Sequence, residues 1–253
     1  MAGVRPLRAR LRRAGPARLP LPRALVRLPR PHDPAEDPSS RRQGQGRLVA
    51  ARQGTYATAR SGPLVRAAGL LSARARRRRY AAFVQVLGVR PGDRIVDVGC
   101  GREGLLALDR AHEIVGVDVR PQPEYPGRLV VADARALPFA DGEFDVAYCN
   151  SLIEHIDPAD RPVVAAEIRR VARRWFVQTP NLWFPLDPHT LLPGYQFLPA
   201  ALQRRLSGLG AGGSYERLRL LDAAELRRLF PGARIIRERA GPLTKSLIAA
   251  GPR

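Results

Sequence analysis

Residues 94–104, Arg-Ile-Val-Asp-Val-Gly-Cys-Gly-Arg-Glu-Gly, join an apolar run to a glycine-rich turn, and they predict a strand, a tight loop and the start of a helix. Gly99, Gly101 and Gly104 would let the backbone turn sharply and let a ligand approach the main chain, with a helix N-terminus behind it. Such a loop favours a nucleotide-like ligand. The same spacing also fits the dinucleotide-binding fingerprint, and short glycine patterns occur by chance in ordinary turns, so the loop alone leaves these alternatives open.

Polar residues also mark the ends of the next three apolar runs, which are predicted to be buried strands over 113–118, 128–132 and 144–149. The first run ends in Asp118, and the other two are followed by Asp133 and by Asn150. The carboxyl ends of parallel strands meet at one edge of a sheet, which is where ligands bind in open α/β folds. The spacing therefore predicts that these side chains converge on one crevice.

The remaining elements complete an alternating α/β pattern. Apolar residues at helical spacing predict one or two N-terminal helices within 61–90, and the arginine run 76–79 is interpreted as a solvated helix face. Further helices are predicted over 105–110, 157–173 and 222–230, the last opened by the capping box Asp222-Ala-Ala-Glu225. Further strands are predicted over 175–178, 233–238 and 243–249.

The basic excess of the chain is concentrated at the N-terminus. The net charge is +20, yet residues 1–90 hold 21 arginines against three acids, and the rest holds 22 basic and 20 acidic side chains. Prolines interrupt every helical or strand period early in the chain, so we predict a disordered arm over 1–60 and a folded domain over 61–253. Its arginines can contact nucleic acid or an anionic membrane, but a solvated arm, or a gene start placed too far upstream, is the favoured interpretation.

The apolar runs and the cysteines of the sequence predict where the protein is located and whether it forms disulfides. No apolar stretch approaches the ~18 residues needed to cross a bilayer. The arm also lacks the uninterrupted apolar segment of a secretory signal, so a cytoplasmic location is expected by default. The two cysteines, Cys100 and Cys149, make no disulfide framework and are predicted to be small buried residues. No metal site is expected.

Taken in order, Asp97-Val-Gly-Cys-Gly101, Asp118, Asp133 and Asn150-Ser-Leu-Ile-Glu-His155 resemble the class I S-adenosylmethionine-dependent methyltransferases over roughly residues 75–250. The resemblance is greatest to the broad small-molecule group that includes quinone-ring methylating enzymes. It implies a Rossmann-like, doubly wound α/β sheet in the order 3-2-1-4-5-7-6, mostly parallel with an antiparallel last strand. It also implies S-adenosylmethionine as the cofactor, lying over strands one, two and four.

Carried over to the glycine loop, the resemblance implies contacts to the methionine part of the cofactor. Gly99 and Gly101 would pass beneath it, and Asp97 would help to hold its ammonium group. Many members of the family have a further glycine where this chain has Glu103, so contacts beyond Gly101 stay open.

The resemblance also assigns the ends of the next three strands. Asp118 would accept hydrogen bonds from both ribose hydroxyls, which suits a carboxylate with two acceptor oxygens. Asp133 would meet the adenine amino group, with the Ala134 backbone amide facing a ring nitrogen. Asn150 would lie near the methionine end.

Catalysis in these enzymes depends on alignment with an already activated sulfonium methyl group, so the resemblance supplies no catalytic residue. His155 is a candidate general base because the intrinsic pKa of histidine is near neutrality. A capping or packing role suits His155 equally well.

Substrate recognition is predicted in the segment that leaves the fifth strand. Residues 181–215 form a candidate acceptor lid, because they follow the edge of the sheet that holds the cofactor and are too apolar for a solvated connection. Its candidate pocket walls are aromatic: Trp183, Phe184, Tyr195 and Phe197. The alternative is that these rings pack onto the sheet as core or form a protein interface.

The predicted function is methyl transfer to a small-molecule or lipid-like acceptor. Asn150-Ser-Leu152 stands where amino-methylating nucleic-acid enzymes usually show Asn-Pro-Pro-Tyr or Asp-Pro-Pro-Tyr, and the body of the chain is nearly neutral. One alternative is an NAD-dependent Rossmann oxidoreductase, against which stands Asp97 at a position that is normally apolar in that fold. The other alternative is a non-catalytic cofactor-binding module whose basic arm binds nucleic acid.

Overall fold

The structure is a computed structural model that describes residues 63–207 and 218–252. The predicted arm over 1–60 and the end of the candidate lid lie outside the described residues. The helices are α1 (Pro63–Leu87), α2 (Arg161–Val171), α3 (Ala200–Leu206) and α4 (Ala223–Leu229). The strands are β1 (Arg94–Val98), β2 (Glu113–Asp118), β3 (Arg128–Val131), β4 (Phe144–Asn150), β5 (Ala172–Pro180), β6 (Arg234–Ala240) and β7 (Leu243–Gly251). Among the described residues, three 3₁₀ turns lie at Gly104–Ala107, Ile153–His155 and Tyr195–Phe197.

Within these ranges the seven strands form one sheet in the order β3-β2-β1-β4-β5-β7-β6. Strands β1 to β5 run parallel, and β7 runs antiparallel to both β5 and β6. Asp97 of β1 lies level with Gly116 of β2 and Tyr148 of β4, so the ends of these three strands are neighbours. The predicted Rossmann-like sheet and its order are confirmed.

Helices cover both faces of the sheet, and each face has its own apolar core. On one face Phe83 of α1 is fully buried, and its ring meets those of Tyr148 and Phe176 edge-on at centroid distances of 5.0 and 5.5 Å. On the other face α2 and α4 bury Ile168 and Leu226. Cys100 and Cys149 are both buried thiols, as predicted. No helix in the described part of the chain is long and apolar enough to cross a membrane.

The prediction of a helix over residues 105–110 is wrong, because only the 3₁₀ turn Gly104–Ala107 forms there. The reason is Asp109, which is 2% exposed. Its carboxylate accepts hydrogen bonds from the backbone amides two and three residues further on, at 2.9 and 3.3 Å, and these bonds turn the chain toward β2. The hydroxyl of Tyr80 on α1 donates to the same carboxylate at 2.9 Å and fixes the turn.

The starts of α2 and α4 are set by aspartates. Residues 157–160, predicted as helix, form a turn in which Asp157 Oδ1 accepts from the Ala159 amide at 3.1 Å, so α2 begins at Arg161. The capping box of α4 is confirmed, since Asp222 Oδ1 accepts from the Glu225 amide at 2.8 Å.

Candidate active site

The loop after β1 presents bare backbone at the carboxyl edge of the sheet. Gly99, Gly101 and Gly104 have φ values of 78°, 59° and 52°, a region that glycine adopts without strain. A Cβ at Gly101 would meet nothing within 4 Å, whereas one at Gly104 would lie 2.3 Å from Asp97 Oδ2. Gly104 therefore closes the loop over the carboxylate.

Asp97 is a buried carboxyl beneath this loop. The residue is 2% exposed, and its Oδ2 accepts a hydrogen bond from the Leu105 amide at 2.6 Å. Burial raises the pKa of Asp97 to about 7; the Leu105 bond acts to lower it, and the charge of Asp118 raises it further. A cationic group placed beside this carboxyl would favour its ionised form.

Asp118 ends β2 and is 7% exposed. Its Oδ2 accepts from the Gly101 amide and its Oδ1 from the Arg120 amide, both at 3.0 Å, so each oxygen keeps acceptor capacity. In the described part of the chain, neither Asp97 nor Asp118 is ion-paired. Two buried carboxylates without a basic side chain suit a ligand that brings positive charge and hydroxyl donors.

Asp133, in the loop after β3, is already engaged by a neighbour. Arg135 donates to it from the backbone amide at 2.9 Å and from Nη2 at 2.6 Å, and the same guanidinium reaches Asp160 at 2.9 Å. These Arg135 bonds outweigh partial burial and hold the pKa of Asp133 below its usual range. Ala134 is half-buried against the core. A ligand amino group at Asp133 therefore has to share its oxygens with Arg135.

The end of β4 carries Asn150 together with a residue that sequence reasoning missed, Arg79 of α1. Arg79 Nη1 donates to Asn150 Oδ1 at 2.6 Å, and Nη2 donates to Glu238 Oε2 at 2.6 Å. The interpretation of run 76–79 as a solvated face is wrong for Arg79, which is 8% exposed, and right for the three arginines before it. The sequence signal for this burial is that Arg79 lies four residues before the buried Phe83, and therefore on the same face of the helix.

Ser151, directly after β4, has a strained backbone. Its φ is 56°, which is uncommon for a residue other than glycine. Two bonds to Gln178 of β5 hold it, from the Ser151 amide to the Gln178 carbonyl and from Oγ to Oε1, both at 3.0 Å. Strained residues that neighbouring strands hold in place are frequent at binding and catalytic sites.

His155 lies in the 3₁₀ turn after β4 and is 9% exposed. Its ring meets the ring of His189 edge-on at 5.3 Å, so the candidate base contacts the candidate lid. The neighbouring Glu154 is buried, and its Oε2 accepts from Thr179 Oγ1 at 3.1 Å. Burial raises the pKa of Glu154, while His155 and Arg161 act to lower it.

The four aromatic residues proposed as pocket walls occupy different environments. Tyr195 is 3% exposed; its hydroxyl donates to the Gln203 carbonyl at 2.8 Å, and Gln203 Nε2 donates back to the Tyr195 carbonyl at 3.0 Å. Trp183 and Phe197 are 67% and 54% exposed, with ring centroids 5.9 Å apart. Phe184 is half-buried. This segment thus has a packed interior and an apolar exterior.

Two shallow clefts lie away from these residues. One, of about 340 Å³, is lined by Phe230 and Gly232, and the other, of about 370 Å³, lies between Pro158 and Leu229. Neither contains a predicted site residue, and neither brings buried acids together. The chemistry therefore places the candidate site at the strand edge.

The chain is similar to known methyltransferases. Residues 96–174 match the family model of a methyltransferase domain. The chain is 34% identical over 96 residues to the 2-methyl-6-phytyl-1,4-hydroquinone methyltransferase of Synechocystis sp., and 33% identical over 106 residues to the demethylmenaquinone methyltransferase of Beutenbergia cavernae. These alignments cover 33% and 36% of this chain but only 30% and 41% of the two relatives.

Two solved structures share the fold. The magnesium protoporphyrin IX methyltransferase of Synechocystis with bound S-adenosylhomocysteine superposes with a TM-score of 0.50 at 16% identity, covering 78% of this chain and 89% of that one. A protein described as a possible exported protein from Bordetella parapertussis gives 0.51 at 21% identity, covering 82% and 78%. At such identities the likeness concerns the fold alone.

The sheet order, the glycine loop and the buried acids define a Rossmann-like fold of the methyltransferase type. The family match over residues 96–174, to a methyltransferase domain, confirms the resemblance to the class I S-adenosylmethionine-dependent methyltransferases. S-adenosylmethionine is the cofactor of this class. Its ammonium group carries positive charge and its ribose hydroxyls are donors, which is the kind of ligand that two buried carboxylates without an ion-paired base suit.

Proposed function

We propose that this chain transfers a methyl group from S-adenosylmethionine to a small, lipid-like acceptor of the hydroquinone type. The observation that carries the proposal is the pair of buried carboxylates, Asp97 and Asp118, which lie beside exposed glycine backbone and have no basic partner among the described residues. The two curated relatives are named for 2-methyl-6-phytyl-1,4-hydroquinone and for demethylmenaquinone, which supports the choice of acceptor class.

The cofactor would be held by residues at the ends of four strands. Asp97 would face the ammonium group, Asp118 would face the ribose hydroxyls, and Asn150 would lie near the methionine end. The remaining members of the set are Gly99, Gly101, Asp133 and Ala134. When bound, S-adenosylmethionine supplies an activated sulfonium methyl group, so the protein's task is to align the acceptor and to exclude water.

The acceptor side would be formed by the turn after β4 and the segment after β5. His155 would take the proton from the acceptor, and its contact with His189 links that role to the position of the lid. The lid, proposed over 181–215, would cover the methyl group, and its aromatic residues would line the acceptor's route from the outer rim to the pocket. These are Trp183, Phe184, Tyr195 and Phe197.

Calorimetry tests the cofactor part of this proposal. The full chain is expected to bind S-adenosylmethionine and S-adenosylhomocysteine and to give no heat with NAD. Binding of NAD alone would instead favour the oxidoreductase, which also places an acid after its second strand.

Product mass spectrometry tests turnover. The chain is incubated with S-adenosylmethionine carrying a deuterated methyl group and with quinone and hydroquinone pools, and a labelled methylated product is expected. Tight cofactor binding with no labelled product from any small-molecule or lipid pool would favour the non-catalytic module.

A further inference from the structure

The segment that follows β5 exposes an unusual share of apolar surface. Seven large apolar side chains are exposed in the described part of the chain, and four of them lie in one stretch of twenty residues of the sequence. We call these four the aromatic patch: Trp183, Leu186, Phe197 and Leu202. Its two rings lie 5.9 Å apart at the centroids, so Trp183 and Phe197 form one continuous apolar surface. An exposed apolar surface of this kind marks a contact with another molecule.

Hydrogen bonds inside the segment hold the patch outward. Gln196 Nε2 donates to the carbonyls on either side of Trp183, those of Leu182 at 3.3 Å and Phe184 at 2.6 Å. Gly194 donates to the Pro185 carbonyl at 2.8 Å. The backbone carbonyls on either side of Trp183 are thus hydrogen-bonded within the segment, and the Trp183 indole is exposed to solvent.

The charges around the patch indicate what it contacts. From residue 188 to residue 217 the sequence holds three arginines, Arg204, Arg205 and Arg217, and one acid, Glu216. Arg204 and Arg205 are exposed in the last turn of α3. The preceding acid, Asp187, is 3% exposed, and its Oδ1 accepts hydrogen bonds from the His189 and Thr190 amides. Among the described residues of this segment, the exposed charge that accompanies the aromatic patch is therefore positive.

We infer that the aromatic patch docks the protein on an anionic lipid bilayer, with Trp183 and Phe197 entering the headgroup boundary and Arg204 and Arg205 facing lipid phosphates. Tryptophan is suited to this boundary because its ring is apolar and its N–H can bond to water or headgroups. Arginines add attraction to an anionic leaflet. Docking on the bilayer does not depend on methyl transfer. The further statement, that docking brings the site to an acceptor dissolved in the bilayer, rests on the proposed function.

The two tryptophans of the chain allow a direct test. Trp175 is 8% exposed in the core, and Trp183 is 67% exposed in the patch. The full chain is mixed with vesicles of equimolar phosphatidylcholine and phosphatidylglycerol, and then with vesicles in which the phosphatidylcholine carries brominated tails. We expect the fluorescence to shift to shorter wavelength and the brominated tails to quench it. Trp183→Phe, which retains only Trp175, should show neither change.

Binding strength is measured by vesicle co-sedimentation of matched variants. The double variant Trp183→Ser, Phe197→Ser is expected to weaken partition by about tenfold or more, because it removes most of the apolar surface that enters the bilayer. Val163→Ser removes an exposed apolar residue from α2 and should leave partition unchanged. Arg204→Gln with Arg205→Gln should weaken partition onto anionic vesicles and leave partition onto pure phosphatidylcholine unchanged.

Three outcomes would overturn the inference. Co-sedimentation without quenching of Trp183 would show that the basic N-terminal residues bind the lipid and the patch does not. Protection of Trp183 from acrylamide in the absence of lipid would show that a second copy or another part of the chain covers the patch. Equal partition of the double variant and the wild-type chain would exclude the patch as the contact. Each result is independent of cofactor binding, which calorimetry on the same samples reports separately.

Discussion

Arg79 of α1 donates a 2.6 Å hydrogen bond to Oδ1 of Asn150 at the end of β4, and so ties the N-terminal helix to the edge of the sheet where the cofactor would bind. An arginine can only donate, so this bond keeps the oxygen of the Asn150 amide on the Arg79 side. The amide nitrogen is turned the other way, toward Ser151 Oγ. Arg79 therefore acts as a positioning residue for a predicted site residue.

Replacing Arg79 with methionine should lower the free energy of unfolding by about 2 to 3 kcal/mol, because Asn150 loses a charged donor and Glu238 keeps a half-buried charge without its partner. Urea denaturation measures the change. Arg78→Met is the matched control, since Arg78 is exposed on the same helix and should cost no more than about 0.5 kcal/mol. Equal costs at the two positions would contradict the role of Arg79.

Asp118→Ala should weaken S-adenosylhomocysteine binding by about 1.5 to 3 kcal/mol, the usual scale for hydrogen bonds to a charged group. Calorimetry on the folded variant provides the measurement. Asp141→Ala serves as the control, because the Asp141 side chain is 83% exposed and lies outside the predicted site. An affinity that Asp118→Ala leaves unchanged would remove Asp118 from the cofactor site.

The buried Asp97 should make the cofactor-free protein less stable as pH rises. Its pKa is raised from 3.8 to about 7 on folding, so between these values the folded chain binds more protons than the unfolded chain. Stability from this group is complete below about pH 4 and is lost through about pH 7, with a slope of at most about 1.4 kcal/mol per pH unit. Urea midpoints across this range measure it. Asp97→Asn should remove this part of the pH dependence, and identical profiles for the two proteins would contradict it.

If His155 is the general base, His155→Asn should lower kcat/KM near neutral pH by roughly 10² to 10⁴ and should abolish the acid limb of the pH–rate profile. His189→Asn changes the neighbouring ring and is expected to cost less than about tenfold. Rates are measured with a prenylated hydroquinone and corrected for the folded fraction. Similar losses in both variants, with the acid limb retained, would indicate that His155 packs against the lid instead.

The position of the candidate cofactor residues at one edge of the sheet could be predicted from the sequence, because these residues follow the ends of strands. Parallel strands place their carboxyl ends at one edge, so the position of Asp118 directly after an apolar run already assigns it to that edge. The same logic could not reveal that Arg135 engages Asp133, since that contact depends on the conformation of one flexible side chain. Nor could it separate Arg79 from the run before it, although the four-residue spacing from Phe83 carried the signal.

The predicted boundaries of helices and strands were wrong where single polar residues redirect the chain. Asp109 ends the predicted helix after the glycine loop by binding two following amides. β5 begins at Ala172 and not at Trp175, because Arg174 keeps its charge outside the core, where it donates to Asp93 at 2.7 Å. Such charged residues interrupt an apolar pattern without interrupting the strand.

The candidate lid allows a last test, because its aromatic residues separate into buried and exposed sets. Tyr195→Ala should cost roughly 3 kcal/mol or more of stability, since it removes a buried ring and the hydrogen bond to the Gln203 carbonyl. Tyr195→Phe, which removes the hydroxyl alone, should cost about 1 kcal/mol. Trp183→Ala should change stability by no more than about 0.5 kcal/mol and should instead raise the KM of a lipid-like acceptor presented in vesicles. Urea denaturation and vesicle-based kinetics give the two quantities, and a Trp183→Ala variant that melts early with unchanged kinetics per folded molecule would place the acceptor site elsewhere.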